Sequence, residues 1–364
     1  MQSLETVDLP VSDKLRMVQV GLGGWGWSWM QIVRDAPGWE LAAVVDIDRK
    51  RLADAGAQYG LREEQLHPSL ESAVAAGGLD ACLVVVPPEA HADVTIAAAR
   101  AGLHCLVEKP LADTVASARA MVDAASEAGV RLMVNQNYRY RRAPRTVKKL
   151  IAGGTVGEVG AVNIQFRKAA RFGGGFREKM AHPLVLDMAI HHFDQLRGTV
   201  GFEPAEVTAR SWNPKWSWFD GDAMASAIFR AESGAVATYA GSWVAQGADT
   251  TWDGDWRIEG TEGEIHWANN AVSLKPQSVF TSVFVPGARE EDGRIVFDLL
   301  DLAAEDRQGS LAAFREAVLK GEDGETSGRD NLRTLATVLA ARLSIERGET
   351  VTLDEVLSSS GQPE

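Results

Sequence analysis

Apolar residues follow two rhythms along this chain, and the change falls near residue 135. Before it, near-continuous apolar runs at 17–20, 41–46, 81–86, 103–107 and 130–134 alternate with helical spacing over 25–36, 49–59, 90–101 and 113–128. A strand that is apolar at nearly every position is covered on both faces, and strand–helix alternation makes the sheet parallel. The first part therefore reads as an α/β doubly wound parallel sheet. After the change, apolar and polar residues alternate with period two over 162–166, 205–212, 223–231 and 235–244. Further strands are expected at 255–260, 263–268, 271–276, 278–285 and 294–300, and helices at 143–153, 184–200, 309–320 and 329–346. So many strands with short turns imply a large, mainly antiparallel sheet with helices on one side, an α+β domain.

Length supports that division, because 364 residues exceed one ordinary core. The expected parts are a disordered tail over 1–15, a first domain over 16–136 and a second over 137–364. A net charge of −13, with no Lys/Arg run able to track a phosphate backbone, excludes nucleic acid as a partner. No apolar stretch has the length of a membrane span, and the first fourteen residues lack an apolar signal core. Cys82 and Cys105 both fall in expected buried strands, which suits reduced thiols and a cytoplasmic setting.

The candidate chemistry sits at strand ends. Gly21-Leu22-Gly23-Gly24-Trp25-Gly26 follows the first strand and opens a helix, fitting G-x-G-x-x-G. Glycines there permit a tight turn and let backbone approach a pyrophosphate at the helix N-terminus. Alone the pattern is weak. Asp46, twenty residues after Gly26 at the end of the next strand, can hold a ribose hydroxyl and turns it into a dinucleotide fingerprint. Asp46 would repel a 2′-phosphate, so NAD is expected, while Arg49, Lys50 and Arg51 keep NADP open. Lys109 follows the 103–107 strand and precedes Pro110, where open α/β sheets meet their ligands. A single Lys-Pro would otherwise be an ordinary solvated strand end.

In the 184–200 helix, Asp187, His191 and Asp194 are spaced to share one face. Three readings fit: a solvated stripe, a metal pair drawing on His182, His191 and His192, or a general base whose tautomer a carboxylate fixes. Few further ligands are spaced for a metal, so none is expected.

Together these residues resemble the glucose–fructose oxidoreductase / inositol dehydrogenase (Gfo/Idh/MocA) family. The likeness runs from about Arg16 to Leu353. It rests on the Gly-rich loop, Val86-Pro87-Pro88-Glu89-Ala90-His91, Ala101-Gly102-Leu103-His104, Glu108-Lys109-Pro110, Asn137-Tyr138-Arg139-Tyr140, Asp187-x-x-x-His191 and Gly260-Thr261-Glu262-Gly263-Glu264-Ile265. The resemblance implies a Rossmann domain followed by a substrate domain, and a catalytic trio of Lys109, Asp187 and His191. His191 would take the hydroxyl proton, Lys109 would stabilise the reacting oxygen, and Asp187 would orient His191 or the substrate. Pro87, His91, Glu108 and Gln136 would lie near the cofactor, with Trp25 packing on it or capping the substrate site. Tyr138, Arg139, Arg167 and His192 are candidate substrate contacts, the substrate being a sugar, inositol or related polyol. The chain departs from the family before the Asp187 helix, where the lead-in is Met180-Ala181-His182-Pro183. The same resemblance admits an NAD-dependent glycoside hydrolase or lyase, or a dinucleotide-binding sensor without activity. A large sheet with one helix-free face implies a homodimer or homotetramer.

Overall fold

The computed structural model describes residues 14–277 and 288–359. Residues 1–13 of the expected tail and the strand expected at 278–285 lie outside the described residues. The chain divides into two compact units. One holds the described residues up to Asn135 together with Arg307–Leu332; the other holds Gln136–Asp306 and the residues from Arg333 onward. The return of 307–332 to the first unit differs from the single boundary expected near 136.

In chain order the first unit contains β1 (Leu15–Val20), α1 (Gly24–Asp35), β2 (Trp39–Val45), α2 (Arg49–Tyr59), β3 (Leu66–His67) and α3 (Leu70–Ala76). It continues with β4 (Ala81–Val84), α4 (His91–Arg100), β5 (His104–Val107), α5 (Val115–Glu127) and β6 (Leu132–Val134). All six strands are parallel, in the order β3-β2-β1-β4-β5-β6. β4 and β6 are buried at every position, because helices cover both faces. The two-residue β3 escaped the sequence reading, since two residues carry no periodicity.

The second unit opens with α6 (Arg142–Ala152), β7 (Val159–Arg167), α7 (Phe176–Lys179), a π-helical turn at Leu184–Met188 and α8 (Ala189–Gly198). There follow β8 (Pro204–Trp212), β9 (Met224–Ala231), β10 (Val236–Ser242), β11 (Asp255–Gly260), β12 (Gly263–Ala268), β13 (Ala271–Pro276), β14 (Ala288–Glu291) and β15 (Arg294–Phe297). The chain ends with α9 (Asp306–Lys320), α10 (Gly328–Arg347), β16 (Val351–Thr352) and α11 (Leu353–Ser358). Among the described residues ten strands form one sheet, ordered β14-β15-β13-β12-β11-β7-β10-β9-β8-β16. Its pairs are antiparallel except β7 with β10. Strict in–out alternation along β9 shows one packed face and one open face. α8 packs on the inner face through Phe193, 4.8 Å from Phe229 and 5.2 Å from Tyr239 between ring centroids.

Within the first unit the returning α9 fills the core beside β2. Phe314 stacks on Trp39 at 5.5 Å, and the Trp39 indole donates to the Leu311 carbonyl at 3.2 Å. Both rings are buried, so this late segment is integral to the unit's core.

Candidate active site

One row of backbone hydrogen bonds extends the parallel sheet past its strand ends. Gly21 donates to the Val45 carbonyl, Val85 to Val20, Glu108 to Val84 and Asn135 to Val107, at 2.7–3.0 Å. Parallel register brings the residues after β1, β2, β4, β5 and β6 to a single edge. The glycine loop, Asp46, the Pro87 turn, Lys109 and Asn135 all stand there, at the carboxyl ends where such sheets bind ligands.

The glycines of the loop divide by what surrounds them. Gly21 has φ +99°, and a Cβ on it would lie 2.1 Å from the Val85 carbonyl oxygen. A Cβ on Gly26 would lie 2.2 Å from the Gly21 carbonyl oxygen, so both glycines are required by the protein's own backbone. Gly23 and Gly24 have no atom within 4 Å of where a Cβ would stand. Their smallness serves nothing inside the fold and leaves open space at the N-terminus of α1, which suits a pyrophosphate held by backbone N–H groups. Asp46 is buried, and its two oxygens accept the N–H groups of Leu22 at 2.7 Å and Asp48 at 2.8 Å. A carboxylate has about four acceptor sites, so a ribose hydroxyl can still be received. Arg51 lies 3.6 Å from Asp46 and 3.5 Å from Asp48; Lys50 instead pairs with Asp54 at 2.6 Å. These residues fit a dinucleotide.

Glu108, expected near the cofactor, has its carboxylate engaged within the protein. Its carboxylate is buried and accepts the indole N–H of Trp25 and of Trp29, each at 2.7 Å, and the Asn135 amide at 3.0 Å. Trp29 is fully buried, whereas Trp25 is 52% exposed. The Arg307 guanidinium lies over both rings, 4.6 Å from Trp25 and 5.2 Å from Trp29. Trp25 is thus a fixed aromatic plate beside the loop. The next residues, Lys109-Pro110, are joined by a cis peptide bond, and Lys109 is half-buried. His91 is buried as well, with ring nitrogens 2.8 Å from the Pro110 carbonyl and 2.9 Å from the Val86 carbonyl. Burial lowers its pKa, opposed by those two carbonyls and by Glu108. Its hydrogen-bonding atoms are turned to protein backbone, and Pro87 is exposed at the head of the turn between Val86 and His91.

In the second unit, the expected straight helix over 184–200 begins with a π turn. The Ala189 N–H reaches the Leu184 carbonyl, five residues back. That wide turn changes the angular spacing, and Asp187 and Asp194 have different surroundings rather than one shared stripe. Asp187 is half-buried and accepts from Arg177 at 2.6 Å. Asp194 is buried and takes two hydrogen bonds from Arg139, both 2.6 Å, and one from Thr334 at 2.9 Å. Arg139, expected as a substrate contact, is an interior residue at 3% exposure. His192 is interior too, fully buried with its ring nitrogens 3.2 Å from the Tyr239 hydroxyl and 3.0 Å from the Trp252 carbonyl. Burial pushes its pKa down to about 4.

His191 stacks flat on Tyr138, with centroids 4.0 Å apart and 9° between planes. The Arg141 guanidinium lies 3.3 Å from the same tyrosine ring. Burial raises the Tyr138 pKa to about 12, so the phenol stays protonated. Gln136, buried in this unit, accepts the Arg139 N–H on its carbonyl. Arg167 is exposed at the end of β7, its backbone bonded to Thr250. His182, 3.3 Å from the Ser211 hydroxyl, has surroundings separate from those of His191 and His192. Among the described residues no group of three or more His, Cys, Asp or Glu is placed to hold a metal ion. No helix among them is long and apolar enough to cross a membrane.

Fold and glycine loop define the class, a dinucleotide-binding α/β domain joined to a mainly antiparallel α+β domain. Residues 15–136 match the model of the oxidoreductase family with an NAD-binding Rossmann fold, and residues 144–266 match the GFO/IDH/MocA C-terminal domain. The chain belongs to the Gfo/Idh/MocA family. It is 29% identical over 352 residues to D-apiose dehydrogenase from Paraburkholderia graminis, covering 92% of this chain and 88% of that one. It is 26% identical over 365 residues to myo-inositol 2-dehydrogenase from Thermotoga maritima, covering 94% and 100%. In fold it is similar to an oxidoreductase from Agrobacterium radiobacter, with TM-score 0.82, 24% identity and coverage of 94% and 99%.

Proposed function

We propose that the protein is an NAD-dependent dehydrogenase or reductase acting on a secondary alcohol or ketone of a sugar, inositol or related polyol. The observation that carries this reading is the edge of the parallel sheet. Open space at Gly23 and Gly24, fixed Asp46 and half-buried Lys109 stand there in one row. The sugar and inositol dehydrogenases among its relatives support the substrate class. Bound NAD supplies the acceptor for hydride. Lys109 hydrogen-bonds the reacting oxygen and stabilises the negative charge that develops on it. His191 takes the hydroxyl proton in the oxidative direction, its ring plane limited by Tyr138. Asp187 orients His191 or the substrate while Arg177 holds its carboxylate. These three roles are drawn from the family resemblance. Asp46 favours NAD over NADP, and Arg51 beside it weakens that preference without reversing it. Arg167 remains a candidate substrate contact; Arg139 and His192 serve the interior instead. The open face of the large sheet, where Ile228 is 55% exposed, is proposed to pack on a second copy, giving a molar mass by light scattering at least twice that of the chain.

The test follows NADH fluorescence after NAD is added with inositols, aldoses, anhydrosugars and aryl glycosides. Net NADH from a polyol or aldose, lost in Lys109→Ala while NAD affinity is kept, is expected. Glycoside cleavage without net NADH, or bound NAD with no turnover across the panel, would contradict the reading.

A further inference from the structure

We propose that His91 is a positioning residue for Lys109, acting through the carbonyl of Pro110. This rests on the role given to Lys109 above. The residue before Lys109 is held by its side chain, since Glu108 takes N–H donors from Trp25, Trp29 and Asn135. The residue after it is held by its backbone, since the Pro110 carbonyl faces a His91 ring nitrogen at 2.8 Å. The other ring nitrogen, 2.9 Å from the Val86 carbonyl, ties the same imidazole to the turn that follows β4. One buried ring therefore packs against the loops that follow β4 and β5; with its single neutral-form N–H on Nδ1 it donates to the Pro110 carbonyl, and Lys109 lies between two fixed points.

Carbonyl oxygens only accept, so each close contact calls for an N–H on the ring. A neutral imidazole supplies one and an imidazolium both, and an apolar replacement supplies neither. Loss of the ring leaves the Pro110 carbonyl without its partner and frees the Lys109 backbone to shift. A displacement of about 1 Å in a group that stabilises developing charge costs on the order of 100-fold in rate. Asp46, which would hold the dinucleotide with the glycine loop, is fixed by the N–H groups of Leu22 and Asp48, whereas His91 faces the carbonyls of Pro110 and Val86. The geometry thus separates two quantities: binding of NAD stays, and the efficiency of Lys109 falls.

The experiment uses full-length His91→Ala and His91→Gln beside the unaltered chain and Lys109→Ala. NAD affinity is titrated, kcat and KM are measured on a substrate found in the panel, and free imidazole is added back to fill the space left by the ring. Independently of any substrate, the rate of labelling of Lys109 by pyridoxal 5′-phosphate and borohydride is read by peptide mass spectrometry, with exposed Lys50 as internal reference. For His91→Ala the expected result is NAD affinity within about threefold, kcat lower by about 10- to 100-fold with KM little changed, and Lys109 labelling altered severalfold against Lys50. Imidazole restores part of both. If His91→Ala does not fold, His91→Gln, which keeps an amide donor, carries the same readouts with a smaller loss. Unaltered kcat and Lys109 labelling in a folded variant would overturn the proposal. So would a fall in kcat matched by an equal loss of NAD affinity and unmoved by imidazole, since that marks a general structural role. Should the unaltered chain turn over no substrate, the functional reading fails, and the labelling rate still decides the role of His91.

Discussion

At the edge of the parallel sheet, position is held by backbone. Gly21, Val85, Glu108 and Asn135 continue the strand ladder by one row, and Asp46 is fixed by two main-chain N–H groups. At the start of α8, position is held by side chains: Asp187 by Arg177, His191 by Tyr138, Asp194 by Arg139 and Thr334. A backbone ladder depends on very few side chains, chiefly on the absence of Cβ at chosen glycines. A side-chain lattice depends on every member, and neighbours in sequence acquire unrelated duties. His191 and His192 are the clearest case, one stacked on Tyr138 and the other sealed in the core.

The largest effect should come from Gly21→Ala, which strikes the ladder itself. Its new Cβ would need the place of the Val85 carbonyl at a φ of +99°, so a loss of about 4 kcal/mol is expected in a denaturant melt. Next is Asp194→Ala, which leaves the Arg139 guanidinium buried without its carboxylate. The expected cost is about 3 kcal/mol by the same melt. His192 supplies a third break, in pH. Its folded pKa, lowered to about 4 by burial, lies below the ordinary histidine value of 6.5, so the unfolded chain takes up a proton first as pH falls. The stability this neutral ring contributes is present in full above about pH 6.5 and is lost as pH falls toward 4. The loss is on the order of 3 kcal/mol, and His192→Gln should flatten that part of the pH–stability curve. Asp187→Asn should change stability least, by about 1 kcal/mol or less, because its ion pair with Arg177 is partly exposed. Its kcat should nonetheless fall roughly 10- to 100-fold. Equal stability losses at Asp187 and Asp194 would erase the distinction between the two carboxylates.

What could be read from the sequence divides along the same line. The glycine spacing, the acid twenty residues on and the lysine after an apolar run are local patterns, and the structure places all of them at one sheet edge. The two-residue strand at Leu66–His67 and the return of Arg307–Leu332 were not legible, because pairing and docking over long sequence separations leave no periodic trace. The π turn at Leu184–Met188 was hidden for another reason. An apolar helix pattern assumes 3.6 residues per turn, and one wide turn inside it changes which side chains look outward. That irregularity sets Asp187 apart from His191 and Asp194, which lie in α8, buried along Ala189–Arg197. The partners that set the duties of Arg139 and His192, namely Asp194, Tyr239 and Trp252, are 47 to 60 residues distant. Glu108 shows the same limit, since its two indole donors lie 79 and 83 residues earlier.

The most direct test is titration of NAD into Gly23→Ala, with a thermal melt of the same protein. Gly23 has φ −61° and ψ −179°, a conformation alanine adopts, and nothing stands within 4 Å of the added methyl. The melting temperature should be unchanged or slightly raised, because alanine restricts the unfolded chain. NAD affinity should at the same time weaken by about tenfold or more, roughly 1.4 kcal/mol, because the methyl occupies space reserved for the pyrophosphate. Full NAD affinity in a stable Gly23→Ala protein would contradict that role of Gly23.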